Sequence, residues 1–144
     1  MNVESILRGK GDRVAIVAPN ATIAVAVATL KREGIGALVV SRDGSAVDGI
    51  LSERDIVHAL ADNGPALLEK RVDQLMTRRV FTCTPRDSVA DLMGEMTRRR
   101  FRHMPVLRDG ALAGIISIGD VVKARLDEME YETTSLRSFI HGES

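Results

Sequence analysis

Two stretches of the chain share one plan: Gly49-Ile50-Leu51-Ser52-Glu53-Arg54-Asp55-Ile56-Val57 and Gly114-Ile115-Ile116-Ser117-Ile118-Gly119-Asp120-Val121-Val122. In each, a short apolar run stops at a serine, an aspartate follows three positions on, and apolar residues resume. Serine with an acidic residue three positions later marks a helix N-terminus, so each copy predicts a strand running directly into a helix. The first N–H groups of such a helix have no partner inside it, and its dipole places partial positive charge there. Serine, aspartate and main chain can therefore hold a phosphate or a sugar hydroxyl at that point, which is the chemistry of nucleotide binding. The same Ser-x-x-Asp is also an ordinary capping box whose side chains satisfy only backbone donors. One isolated copy would favour that plainer reading; recurrence of the whole surrounding pattern shifts the weight towards a site.

The elements that must position these motifs recur with them. An amphipathic segment, Val3 to Leu7, precedes an extended run, Val14-Ala15-Ile16-Val17-Ala18, that ends at Pro19. Val72 to Met76 repeats the segment, and Val80-Phe81-Thr82-Cys83-Thr84-Pro85 repeats the strand and its proline 66 positions on. After each proline a capping residue, Thr22 or Ser88, starts a helix with an apolar stripe: Ile23, Ala26, Val27 and Leu30, then Val89, Leu92, Met93 and Met96. A β-rich run follows each helix, Ile35 to Val40 and Phe101 to Leu107, and leads to an Asp-Gly turn at Asp43-Gly44 or Asp109-Gly110. The fold class is thus α/β (α+β), with two β-α-β-β-α repeats packed about a pseudo-twofold axis and a C-terminal helical extension. Residues 1–64 form the first repeat with its N-terminal segment. Residues 65–126 form the second, entered after Asp62-Asn63-Gly64-Pro65 by a helix over Ala66 to Met76, and residues 127–144 form the extension.

With 144 residues and 44% hydrophobic content the chain can bury a core shared by two small halves. Twenty basic and twenty acidic residues cancel, so no global field recruits nucleic acid or an anionic membrane. No apolar run is long enough to span a bilayer, and the first residues lack the apolar stretch of a secretory signal. A lone cysteine, Cys83, excludes an intrachain disulfide and suits a reducing cytoplasm. Three histidines and one cysteine show no metal-ligand spacing and no nucleophile or acid–base constellation, so an enzyme is not expected.

The two Gly-h-h-Ser-x-x-Asp stretches, the two proline-preceded helices and His103-Met104-Pro105-Val106 before a turn resemble the tandem cystathionine β-synthase (CBS) domain pair, the Bateman module, over nearly all of Val3 to Leu126. The resemblance implies a regulatory, non-catalytic module that binds adenosine-containing ligands such as AMP, ADP, ATP, NAD(H) or S-adenosylmethionine between its repeats and signals to a partner protein. It implies ribose contacts for Asp55 and Asp120 and phosphate contacts for Ser52 and Ser117, with Gly119 between the two residues of its own motif. It also implies that the residues opening each β-rich run face the phosphates: Arg102 and His103 with Met104 in the second repeat, Gly36 and Ala37 in the first. Adenine would be approached by backbone near Asp12 and Arg78.

On these grounds the second site should bind more tightly, while the first, with Arg54 its nearest cation, should prefer a dinucleotide or stay empty. Arg98 to Arg100, in the last turn of a helix, read mainly as dipole-favoured cations. The stripe Val122, Leu126, Met129, Leu136, Phe139 and Ile140 exceeds what a small module needs, which makes a homodimer the default partner arrangement. A structural dimerisation module with no ligand is the alternative.

Overall fold

The computed structural model describes the backbone of residues 1–11 and 13–140 and the side chains of 1–11 and 13–137; Asp12 and the side chains of Phe139 and Ile140, all named above, lie outside the described residues. The chain runs α1 (Val3–Lys10), β1 (Ile16–Val17), α2 (Ile23–Glu33), β2 (Ala37–Val40), β3 (Gly49–Ser52) and α3 (Glu53–Asn63). It then passes two 3₁₀ turns, Gly64–Glu69 and Val72–Gln74, and repeats the plan as α4 (Val89–Arg99), β4 (His103–Arg108), β5 (Ala111–Ser117) and α5 (Ile118–Ile140). Thr22 and Ser88 cap α2 and α4, accepting from the N–H groups of Val25 and Asp91. Ile23, Ala26 and Leu30 are buried on α2, and Val89, Leu92 and Met96 on α4, as the stripes require.

In the first half β1 runs parallel to β2, which pairs antiparallel with β3, Ala37 opposite Ser52. The second half keeps the hairpin, β4 against β5 with His103 opposite Ser117, closed at Asp109-Gly110, where φ is 52° and 80°. Both values are left-handed, the backbone that Asp-Gly favours in a two-residue hairpin turn. The expected strand over Val80 to Thr84 is reduced to one parallel bridge between Cys83 and Val106. Proline explains the loss. In the first half the Val39 and Ser41 N–H groups donate to Ala15 and Val17. The second half keeps the latter rung as Leu107 N–H to Cys83 O at 2.8 Å, but the position of Val39 is Pro105, which has no N–H to give Phe81.

The expected helix over 66–76 is likewise replaced. Lys70 and Arg71 are extended between the two 3₁₀ turns, because their neighbourhood pairs with the start of α2. The Ile23 N–H donates to Lys70 O and the Val72 N–H to Ala21 O, both at 2.8 Å. These backbone bonds compete with helix formation and win.

The two apolar cores do not follow chain order. Val3 and Leu7 of α1 are buried with Leu92, Met96, Val106 and Ile116, whereas Leu67, Val72 and Met76 are buried with Leu30, Leu38 and Leu51. Each half is completed by the segment that leads into the other. The first glycine of each motif makes room for that segment: a Cβ on Gly49 would lie 2.7 Å from Met76 Sδ, and one on Gly114 would lie 2.6 Å from Leu7 Cδ2. These glycines are packing residues, and they set the strand ends that carry Ser52 and Ser117.

Candidate functional site: two clefts between the halves

Both motifs form complete capping boxes. The Ser52 N–H donates to Asp55 Oδ2 at 3.0 Å and the Asp55 N–H to Ser52 Oγ at 3.2 Å; in the second motif the Ser117 N–H donates to Asp120 Oδ2 at 2.9 Å and the Asp120 N–H to Ser117 Oγ at 3.1 Å. The intervening N–H groups of Glu53 and Ile118 donate to the carbonyls of Gly36 and Arg102. Of the first-turn donors, only those of Arg54 and Gly119 have no acceptor among the described residues. Each motif therefore keeps one helix N-terminal N–H for a ligand.

A cleft of about 550 Å³ opens between the halves at the first motif. It joins Ser52, Arg54 and Asp55 from the start of α3, Gly36 and Ala37 from the start of β2, and Arg102 and His103 from the start of β4. Arg102 thus faces the first motif, not the second as the sequence suggested. The pseudo-twofold packing crosses the halves, so the opening of one hairpin meets the helix of the other.

Several cleft residues were not anticipated. Arg79, Val80 and Phe81 line it from the segment before the Cys83 bridge, and Arg99 and Arg100 from the end of α4. Phe81 stacks on Phe101 with ring centroids 5.1 Å apart, and the Arg99 guanidinium lies 4.4 Å from the Phe81 centroid, a cation–π contact. Arg98 and Arg99 share Glu95 in the last turn of α4, as the helix-end reading has it, while Arg99 and Arg100 also line the cleft.

The mate cleft, about 320 Å³, is lined by Ser117 and Ile115 with Lys10, Arg13, Ala15 and Glu33, together with Gly34, Gly36, Ala37 and His103. Its Lys10 and Arg13 are already paired, Lys10 with Asp120 beside the cleft. Lys10 Nζ lies 2.6 Å from Asp120 Oδ2 and donates to Ile115 O at 3.0 Å, and Arg13 meets Glu33 at 2.9 Å. Burial alone would raise the Asp120 carboxyl, but the Lys10 ammonium and the Ser117 donors outweigh it and hold the group below its ordinary value. Asp120 is thus already engaged by a cation from α1, which the sequence did not indicate. Asp55 has no basic partner among the described residues.

Three other expected residues sit elsewhere. The Met104 side chain is 3% exposed within the second core, because on β4 it faces opposite to His103. The Arg78 side chain turns back to donate to Asp73 O at 3.1 Å, leaving its neighbours Thr77 and Arg79 at the cleft. Asp12 is outside the described residues. His103 lines both clefts, and a Cβ on Gly36 would lie 3.0 Å from Glu53 Oε1 and 3.6 Å from His103 Nε2, so these side chains meet over the glycine. Burial, with the Lys10 charge, pushes the His103 imidazole below its ordinary value, against the pull of Asp120 and Glu53.

Cys83 is buried, and that burial raises its thiol to about 12, which makes it a packing residue. Among the described residues no group of ligating side chains could hold a metal, and no helix is long and apolar enough to cross a membrane.

Comparison with known proteins bears on these clefts. Residues 10–62 and 72–127 each match the CBS domain model. A CBS domain-containing protein of Arabidopsis thaliana described as mitochondrial is 36% identical over 125 residues, covering 84% of this chain but only 61% of the plant protein. A CBS-domain containing protein from Agrobacterium tumefaciens superimposes with a TM-score of 0.83 at 46% identity, over 87% of this chain and 99% of that one. The CBS domain pair of protein MJ0100, in complex with 5′-methylthioadenosine and S-adenosyl-L-methionine, has a TM-score of 0.76 at 25% identity, over 86% of this chain and 98% of that one.

Proposed function

The chain belongs to the CBS domain family, and we propose that it is a regulatory module that binds an adenosine-containing ligand of the AMP, ATP or NAD(H) class between its halves and reports the bound state to a partner protein. The observation that carries this reading is the 550 Å³ cleft in which Ser52, Arg54 and Asp55 from one half meet Arg102 and His103 from the other. Asp55 accepts from ribose hydroxyls, the Arg54 N–H and the basic side chains face phosphate, and the wall around Val80 and Phe81 takes the base. The CBS domain pair of MJ0100 with its two adenosine-derived ligands supports the ligand class. The module acts as a homodimer in the cytoplasm, without catalysis of its own.

One observation favours the alternative of a ligand-free dimerisation module: both motif serine–aspartate pairs are fully engaged as helix caps. Calorimetry separates the two. Asp55→Ala removes a charge-assisted hydrogen bond worth roughly 1.5–3 kcal/mol, so affinity for AMP, ATP or NADH should fall about tenfold or more. A variant that binds normally and only melts earlier makes Asp55 a cap and nothing else.

A further inference from the structure

Resting on the adenosine-ligand reading, we propose that the first cleft selects a nucleotide bearing two or three consecutive phosphates over a nucleoside monophosphate or a cationic nucleoside. The two clefts share a backbone plan but differ in the charges that line them. Where the first has Arg54, Arg99, Arg100 and Arg102, the pseudo-twofold positions in the second are Gly119, Glu33, Gly34 and Gly36. Only Arg79 has a basic mate, Arg13, and that residue is paired with Glu33. Against five arginines the first cleft sets two carboxylates, Glu53 and Asp55. Arg54, Arg79, Arg100 and Arg102 have no carboxylate partner among the described residues. One phosphate would leave most of this charge unanswered. A chain of phosphates presents enough oxygens for several guanidinium forks at once.

Backbone strain points the same way. Arg100 ends α4 with φ at 60°, a left-handed conformation, at the position where its mate Gly34 has φ 63°. Glycine adopts that conformation without penalty and arginine does not, so an arginine kept there at a cleft edge reads as strain held for binding. The cation–π contact of Arg99 on Phe81 likewise holds a guanidinium at the wall.

Calorimetry on the full chain tests this with adenosine, AMP, ADP, ATP, S-adenosyl-L-methionine and inorganic tripolyphosphate. ATP and ADP should bind at least tenfold more tightly than AMP, with S-adenosyl-L-methionine weakest. In the double variant Arg100→Gly, Arg102→Gly the ATP advantage should shrink tenfold or more, with adenosine affinity unchanged and the melting temperature not lowered. Equal affinity for AMP and ATP, or an ATP-to-AMP ratio unchanged in the variant, overturns this inference while leaving the adenosine reading intact. Tripolyphosphate binding as tightly as ATP, with no contribution from adenosine, overturns the adenosine reading and with it the selection of a nucleotide, and leaves a polyphosphate site. Binding of no compound overturns both.

Discussion

Asp55 and Asp120 close the same capping box, yet Asp120 also carries the Lys10 ammonium at 2.6 Å. On the proposed reading a ribose hydroxyl at Asp120 would have to displace that cation, whereas Asp55 has no basic partner among the described residues. The serine and aspartate of each motif were legible because a capping box is local chemistry. The Lys10 contact spans more than a hundred residues, and no periodicity announces it. Arg102 is legible as a cation opening a strand, but sequence order does not say which half a strand end will face, and the structure sets it at the first cleft. His103 carries a prediction of its own. Its imidazole is lowered in the folded protein, so the unfolded chain binds its proton more readily, and stability falls as pH drops below about 6.5. A bound phosphate favours the imidazolium and raises the group again, so binding takes up a proton. ATP affinity should therefore rise from pH 8 to pH 6 beyond the ligand's own titration, and His103→Gln should remove that excess; an identical pH profile in the variant excludes His103 from phosphate binding.

The caps, stripes and hairpin turns of both halves could be read from the sequence because each is decided within a few residues: Thr22 and Ser88 as caps, Asp109-Gly110 as the left-handed turn. The elements that differ are those decided by partners far along the chain. Pro105 removes a rung from the strand expected at Val80 to Thr84, and the pairing of residues 70–72 with residues 21–23 opens the expected linker helix. Helix α5 has a divided surface. Val121 and Ala124 are buried, while Leu126, Met129 and Leu136 are 55%, 53% and 59% exposed. An apolar row of this kind on a long helix calls for a second surface. A chain truncated after Leu126 should be monomeric by light scattering at micromolar concentration where the full chain is dimeric; equal dimerisation would remove the tail from the interface.

At the scale of the molecule, one backbone plan used twice gives two clefts that share Gly36, Ala37 and His103 but differ in charge. Any coupling between the two clefts through these shared residues would act equally in both directions. On the proposed reading, the ion pairs beside the Ser117 cleft and the four arginines of the Ser52–Asp55 cleft that have no carboxylate partner among the described residues would favour filling the latter first, opposite to the order expected from the sequence. The direct measurement is a crystal of the full chain grown with ATP below one equivalent, with occupancy refined in both clefts. The account predicts nucleotide in the Ser52–Asp55 cleft, its phosphates against Arg102, and less in the other. Nucleotide confined to the Ser117–Lys10 side, or equal occupancy that Arg102→Ala leaves unchanged, would contradict it.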